Sequence, residues 1–309
     1  MMDVLGALDP VIAAGLEPFA AFGVSEQTLA AARSNMLTVL PELSDAVERT
    51  DHVVSADPEV IVRVHRPRGL VGALPALYSM HGGGYVIGTR DIDDFLFDQW
   101  CPALNCVAVS VEYRLAPETP YPGPLEDCYT GLAWTFVNAE MLGIDTSRVG
   151  LIGTSAGGGL AAALALLARD RGELRPAFQV LNCPMIDDRM TTPSSQLDGL
   201  PIWSKESNEF GWRSYLGELF ENNAVPCHAA PARAVDLSGL PPAFVAVGGV
   251  DGFRDENVDY ALRLMQAGVP TDLHVYAGLP HGHSLFPKAA GSQQWNRDQF
   301  DWVARQFAR

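Results

Sequence analysis

A chain of 309 residues with 48% hydrophobic and 19% charged content suits one large domain with an insertion, or two small domains, and is neither disordered nor fibrous. A formal net charge of −16 and a pI near 4.7 oppose binding to nucleic acid or anionic lipid, which need cationic surface, and leave an uncharged or cationic small molecule as the expected partner. The five cysteines (Cys101, Cys106, Cys128, Cys183, Cys227) lack zinc-site spacing, the opening segment lacks a basic n-region, and no apolar run reaches membrane-spanning length, so a soluble cytoplasmic protein with reduced thiols is expected.

Residues 1 to about 48 read as amphipathic helix, with apolar Val11, Ile12, Leu16, Phe19 and Phe22 interrupted by Pro10 and Pro18, then a second helical segment from Glu26 to Val39. Glu59 to His65 alternates apolar and charged residues and predicts a half-exposed strand near a sheet edge. Leu74 to Met80 is a further strand and runs into His81-Gly82-Gly83-Gly84. Cys106 to Val111 is a continuous apolar strand of the fully buried kind, and Glu126 to Ala139 has helical periodicity. Val149 to Ile152 predicts a buried strand that meets an alanine- and leucine-rich helix, Gly157 to Asp170, with Ser155 at the bend. After strand Phe178 to Cys183 the rhythm lapses from about Met185 to Asp236 into a polar loop and an aromatic segment with Trp203, Phe210, Trp212, Tyr215 and Phe220, read as an insertion. It resumes with strand Ala243 to Val247, helix Glu256 to Gln266, strand Asp272 to Tyr276 and helix Gln294 to Phe307. Strands alternating with helices predict an α/β fold with a mostly parallel sheet covered on both faces.

Chemistry concentrates where strands end. Gly153 and Gly157 flank Ser155 where a side chain would collide with backbone in a tight strand-to-helix turn, the G-x-S-x-G nucleophile elbow. The Ala156 amide opens the following helix, where free N–H groups and the helix dipole favour negative charge. The glycine run after Met80 bares a backbone whose amides can approach a ligand oxygen, so Gly83 and Gly84 are candidates to join Ala156 as an oxyanion hole, with His81 tying the loop down. A serine needs a base, and the base needs an orienting carboxylate. Asp251, after the apolar strand and Gly248-Gly249, is the candidate acid; Asp255 and Glu256 look better suited to a helix cap and its first turn. His281 is the candidate base, favoured over His283 because Gly282 permits a sharp loop, while His274 is expected to face solvent.

His81-Gly82-Gly83-Gly84-Tyr85, Tyr113-Arg114-Leu115-Ala116-Pro117-Glu118, Tyr121-Pro122 with Glu126-Asp127, Gly153-Thr154-Ser155-Ala156-Gly157-Gly158, Asp251 with Arg254-Asp255-Glu256, and His281-Gly282 appear in this order. Together they resemble the hormone-sensitive-lipase-like branch of the α/β-hydrolases from about residue 60 onward. The resemblance implies an α/β-hydrolase core (49–185 and 233–309) beneath a helical cap (1–48 and 186–232). It also implies hydrolysis of short- to medium-chain carboxylic esters without metal or cofactor. Ser155, Asp251 and His281 fall on that family's triad, and Gly83, Gly84 and Ala156 on its oxyanion hole. Three positions depart from the pattern: Gly252-Phe253 replaces a usual Pro-Leu, His283 stands where an aromatic is frequent, and Thr154 stands where many relatives have Asp.

The expected reaction is attack of Ser155 on an ester carbonyl with His281 as base, then hydrolysis of the acyl-enzyme. Tyr85 and Thr154 adjoin the motifs and are expected to line the pocket, which the insertion's aromatics with Phe19 and Phe22 would wall or merely pack beside. The rival classes are a non-catalytic receptor on the same fold and an acidic interaction scaffold; within enzymes, an amidase or thioesterase would use the same groups. A homodimer is left open.

Overall fold

The apolar runs read as strands pair into one sheet in the computed structural model, which describes residues 3–19, 23–35 and 42–309. The chain begins with α1 (Pro10–Gly15), where the Asp9 carboxylate accepts from the Val11 amide at 2.8 Å and Pro10 occupies a position that has no helical hydrogen bond to lose. Then come α2 (Leu29–Asn35), β1 (Val47–Ala56), β2 (Glu59–Pro67), β3 (Leu74–Met80), α3 (Asp94–Leu104), β4 (Val107–Glu112), α4 (Gly123–Val137) and α5 (Ala139–Leu142). The second half runs β5 (Ile144–Thr154), α6 (Ala156–Arg171), β6 (Phe178–Asn182), α7 (Lys205–Leu216), β7 (Ala243–Val250), α8 (Arg254–Gln266), β8 (Thr271–Pro280) and α9 (Ala290–Phe307). Phe22 and the expected continuation of the second helix to Val39 lie outside the described residues.

The strand order is β1-β2-β4-β3-β5-β6-β7-β8; β2 is antiparallel to both neighbours and every other pair is parallel. Parallel strands are sandwiched between helices, which is why β4 reads as a nearly continuous apolar run and β6 is buried along its whole length, Gln179 and Asn182 included. Successive side chains of β3 show the two faces: Tyr78 joins a core with Leu132 of α4, Leu164 of α6 and Leu264 of α8, while Leu77 joins one with Phe97 of α3 and Trp295 and Trp302 of α9. Helix α6 is buried from Ala156 through Ala168, as befits a helix without a polar face.

Strand β1 and helix α3 were not anticipated. The strand at Glu59 lies one place in from the edge, because β1 covers it; β1 buries only Val47, and its Glu48, Arg49 and Asp51 obscure the alternation. Charged residues on an edge strand discourage pairing with another chain. Helix α3 hides in sequence because Asp94, at its start, is buried and Pro102 lies inside it.

The sheet's register decides the chemistry. Strands β3, β5, β6, β7 and β8 finish at the same edge, with Met80 beside Gly153, Thr154 beside Asn182 and Val250 beside Pro280. The residues that follow these strands are His81, Ser155, Cys183, Asp251 and His281.

Candidate active site

Ser155 has φ +60° and ψ −122°, a region that costs a non-glycine residue of order 1–3 kcal/mol and persists only when its surroundings insist. They do: its amide donates to Asn182 O at 2.8 Å, and its carbonyl accepts from the amides of Gly159 at 2.9 Å and Met185 at 3.0 Å. The flanking glycines are sterically required, since a Cβ on Gly153 would sit 2.1 Å from Gly157 O and one on Gly157 1.9 Å from Met80 O.

The structure brings Ser155, His281 and Asp251 together from positions far apart in the chain. The Ser155 hydroxyl lies 2.9 Å from His281 Nε2, and His281 Nδ1 lies 2.9 Å from Asp251 Oδ2. Asp251 Oδ1 accepts the Phe253 amide at 2.9 Å, which fixes the carboxylate's orientation. All three residues are buried, with Ser155 5% and His281 8% exposed. Burial pulls the His281 imidazole down, but the Asp251 carboxylate, together with the Cys183 sulfur, more than offsets this and holds it well above its ordinary value.

Gly83 (φ +122°) and Gly84 (φ +59°) are in conformations that favour glycine, and the loop passes directly over the elbow: a Cβ on Gly82 would be 3.4 Å from Ser155 Cβ. Among the described residues no acceptor meets the amides of Gly83, Gly84 or Ala156. His81 anchors the loop as expected, its Nδ1 donating to Gly82 O at 2.8 Å and its ring stacking on Tyr113 at 4.1 Å. The Tyr113 hydroxyl in turn donates to His81 O at 2.7 Å.

Other expectations need revision. Tyr85 does not line an open pocket: its φ of +66° turns it under the insertion, where it stacks on Tyr215 at 4.0 Å and donates to Met185 O at 2.8 Å. Thr154 is exposed beside the buried elbow. His274 is half-buried, its ring 4.9 Å from Phe244, so only part of it meets solvent. Asp255 and Glu256 do more than decorate a helix start. Asp255 accepts the Ser194 amide at 2.7 Å, and Glu256 accepts those of Ile186 at 3.1 Å and Asp187 at 3.3 Å, so together they moor the start of the insertion. Burial pushes the Glu256 carboxyl well above its usual range.

His283, the competing base, is also buried but points away from the serine; Nδ1 lies 3.2 Å from Ser292 Oγ and its ring packs 4.2 Å from Trp295. Burial holds its imidazole down at about 4. Three further neighbours of the site are given no place in it by the sequence: Phe253 figures only as a departure from the family pattern, Trp203 only among the insertion's aromatics, and Cys183 only as a reduced thiol. Phe253 meets the His281 ring edge-on at 4.9 Å; it is two residues from Asp251, the one local signal available. Trp203 lies 6.4 Å from His281 and packs on Gly84, where a Cβ would be 2.2 Å from its ring. Cys183 adjoins the acid and base and has no local signal at all. It is one of four buried free thiols, with Cys227 partly buried, as expected of reduced cysteines.

Comparison with known proteins agrees with this geometry. The family profile described as alpha/beta hydrolase fold matches residues 77–285. The chain is 35% identical over 289 residues to a protein named Carboxylesterase NlhH from Mycobacterium tuberculosis, covering 90% of this chain and 89% of that one. It is 37% identical over 211 residues to Esterase LipI of the same organism, a match that spans 68% of this chain but 65% of that protein. Among solved structures it resembles "Bacterial Heroin Esterase" at 39% identity and a TM-score of 0.90, covering 98% of this chain and 99% of that one. Esterase LipW from Mycobacterium marinum follows at 33% identity and a TM-score of 0.88, covering 99% and 98%. A family match over residues 77–285 and extended similarity to several esterases make this chain a member of the α/β-hydrolase family, in its hormone-sensitive-lipase-like branch.

Proposed function

We propose that the protein hydrolyses carboxylic esters of short to medium acyl chain through an acyl-enzyme on Ser155. The observation that carries this reading is the unbroken hydrogen-bonded chain from the Ser155 hydroxyl through His281 to the Asp251 carboxylate. His281, when neutral, takes the hydroxyl proton as the oxygen attacks the carbonyl. Asp251 holds the ring so that Nε2 faces the serine and stabilises the imidazolium that forms. Charge developing on the carbonyl oxygen is met by the amides of Gly83, Gly84 and Ala156, each such donor contributing about 10²–10³ in rate. The imidazolium then protonates the leaving alcohol, and a water activated by the same ring releases the acid. The names of the similar esterases support the ester class.

The helices α1 and α2 ahead of the sheet and the segment 186–232 act as a cap over this centre, and Thr154 borders its entrance. The substrate is a small ester, and the chemistry needs no metal or cofactor. No helix among the described residues is long and apolar enough to cross a membrane, and free thiols suit the reducing cytoplasm, the location we favour.

Incubation with a fluorophosphonate followed by peptide mass spectrometry tests the reading. A single adduct on Ser155 that blocks turnover of p-nitrophenyl esters is expected, with the shorter members of a graded acyl series turned over best. Ester turnover that survives complete labelling of Ser155 would refute it.

A further inference from the structure

The reaction leaves unused the buried thiol that lies against its own acid and base. Cys183 follows β6, with φ +37°, and its amide donates to Ala246 O at 2.7 Å, so its backbone is pinned between the elbow and the loop that carries the acid. Its sulfur, an imidazole nitrogen of His281 and a carboxylate oxygen of Asp251 all lie within 4.8 Å of one another, and all three residues are buried. Among the described residues no other trio of His, Cys, Asp or Glu side chains converges in this way.

We propose that Cys183, His281 and Asp251 form an inhibitory site for a soft divalent cation of the zinc class, a regulation that rests on the esterase reading above. Thiolate, imidazole and carboxylate are the ligand types zinc takes, at about 2.3 Å for sulfur and about 2.0–2.2 Å for nitrogen and oxygen, so ligand atoms on a tetrahedral ion stand about 3.3–3.7 Å apart. The 2.9 Å contact between His281 and Asp251 must open toward that spacing, by less than about 1 Å, while the sulfur already lies no more than 4.8 Å from either atom. Binding releases the thiol proton to solvent and involves no change of oxidation state. A cation on Nε2 takes the lone pair that accepts the Ser155 proton. A cation on Nδ1 breaks the link to Asp251 and leaves the remaining ring proton on Nε2, where the hydroxyl again finds no acceptor. Either way Ser155 loses its base. The sulfur ligand makes the site selective for zinc-like ions over magnesium or calcium, which prefer oxygen.

The test adds zinc chloride to the full chain during ester turnover, each variant being compared with its own metal-free rate. Wild type is expected to lose activity about tenfold when zinc exceeds its dissociation constant by about tenfold, with recovery on adding EDTA and no response to magnesium. Cys183→Ala, its fold checked by circular dichroism and its site by fluorophosphonate labelling, is expected to be at least about tenfold less sensitive. Independently of turnover, cobalt(II) should raise a thiolate-to-metal charge-transfer band in wild type and in Ser155→Ala but not in Cys183→Ala. Equal zinc sensitivity of wild type and Cys183→Ala, or no such band in wild type, overturns the metal site while fluorophosphonate labelling leaves the esterase reading standing. A cobalt band without labelling of Ser155 supports the metal site and defeats the esterase reading instead.

Discussion

Two buried histidine–aspartate pairs stand in this molecule with nearly the same geometry and opposite uses. His65 on β2 lies 2.8 Å from Asp94 at the start of α3, and His281 lies 2.9 Å from Asp251. In the first pair the other carboxylate oxygen accepts Arg63 at 2.8 Å, His65 Nδ1 has no hydrogen-bond partner among the described residues, and the ring packs 5.2 Å from Phe97. Arg63 also binds Asp51 and Asp91; its guanidinium holds the Asp51 carboxyl well below the usual range, and the group fastens the sheet edge to α3. In the second pair a backbone amide takes the spare oxygen and a serine hydroxyl meets the free nitrogen. A buried imidazole–carboxylate pair is thus no sign of catalysis on its own. What matters is a nucleophile on the far nitrogen, amides left open beside it, and a carboxylate that no cation has claimed.

The sharpest way to break the symmetry is Ser155→Ala. We expect kcat to fall by about 10⁴–10⁶ in an ester assay, while the urea midpoint moves little because the hydroxyl's one hydrogen bond among the described residues is to His281. Asp251→Asn follows, with a loss of about 10⁴ in kcat and a displaced pH profile. His281 works only when neutral and Asp251 raises its pKa, so wild-type kcat/KM climbs as pH rises through that elevated value. Without the carboxylate the climb moves to lower pH; an unmoved limb would show that Asp251 does not set the charge on His281. Gly83→Ala puts a Cβ 2.0 Å from Ile87 O and must shift the loop, which should cost about 10²–10³ in kcat with a smaller change in KM.

Changes at the other pair should be read in stability instead. His65→Ala is expected to lower the unfolding free energy by about 2–4 kcal/mol in urea titrations, leaving kcat per active site, counted by fluorophosphonate titration, within about twofold. A collapse of kcat there would erase the distinction drawn between the two pairs. The smallest effect belongs to the exposed partners Glu48 and Arg68, 3.9 Å apart: Glu48→Gln should shift stability by no more than about 0.5 kcal/mol.

Much of this architecture is written locally. Strands β3, β4, β6 and β7 are buried on both faces, so hydrophobicity alone exposes them, and the glycines around Ser155 announce a turn because no larger residue fits between β5 and α6. Strand β1 escapes notice because its support is a neighbour and a set of ion pairs, and neither leaves a periodic mark. Tyr85 misleads because a motif reports a residue's place along the chain, whereas its backbone angle decides where the ring goes.

The residues proposed as nucleophile, acid and base, and their order, could be picked out along the chain because each follows a recognisable strand and a tight turn, features set by contacts a few residues long. Folding alone set the His281 ring against the Ser155 hydroxyl, moored the insertion through Glu256, and brought Cys183 against the acid and base. Those outcomes rest on side chains that meet across 126 residues in one case and 70 in another. Their meeting is governed by strand register and helix packing, and spacing along the backbone does not encode it.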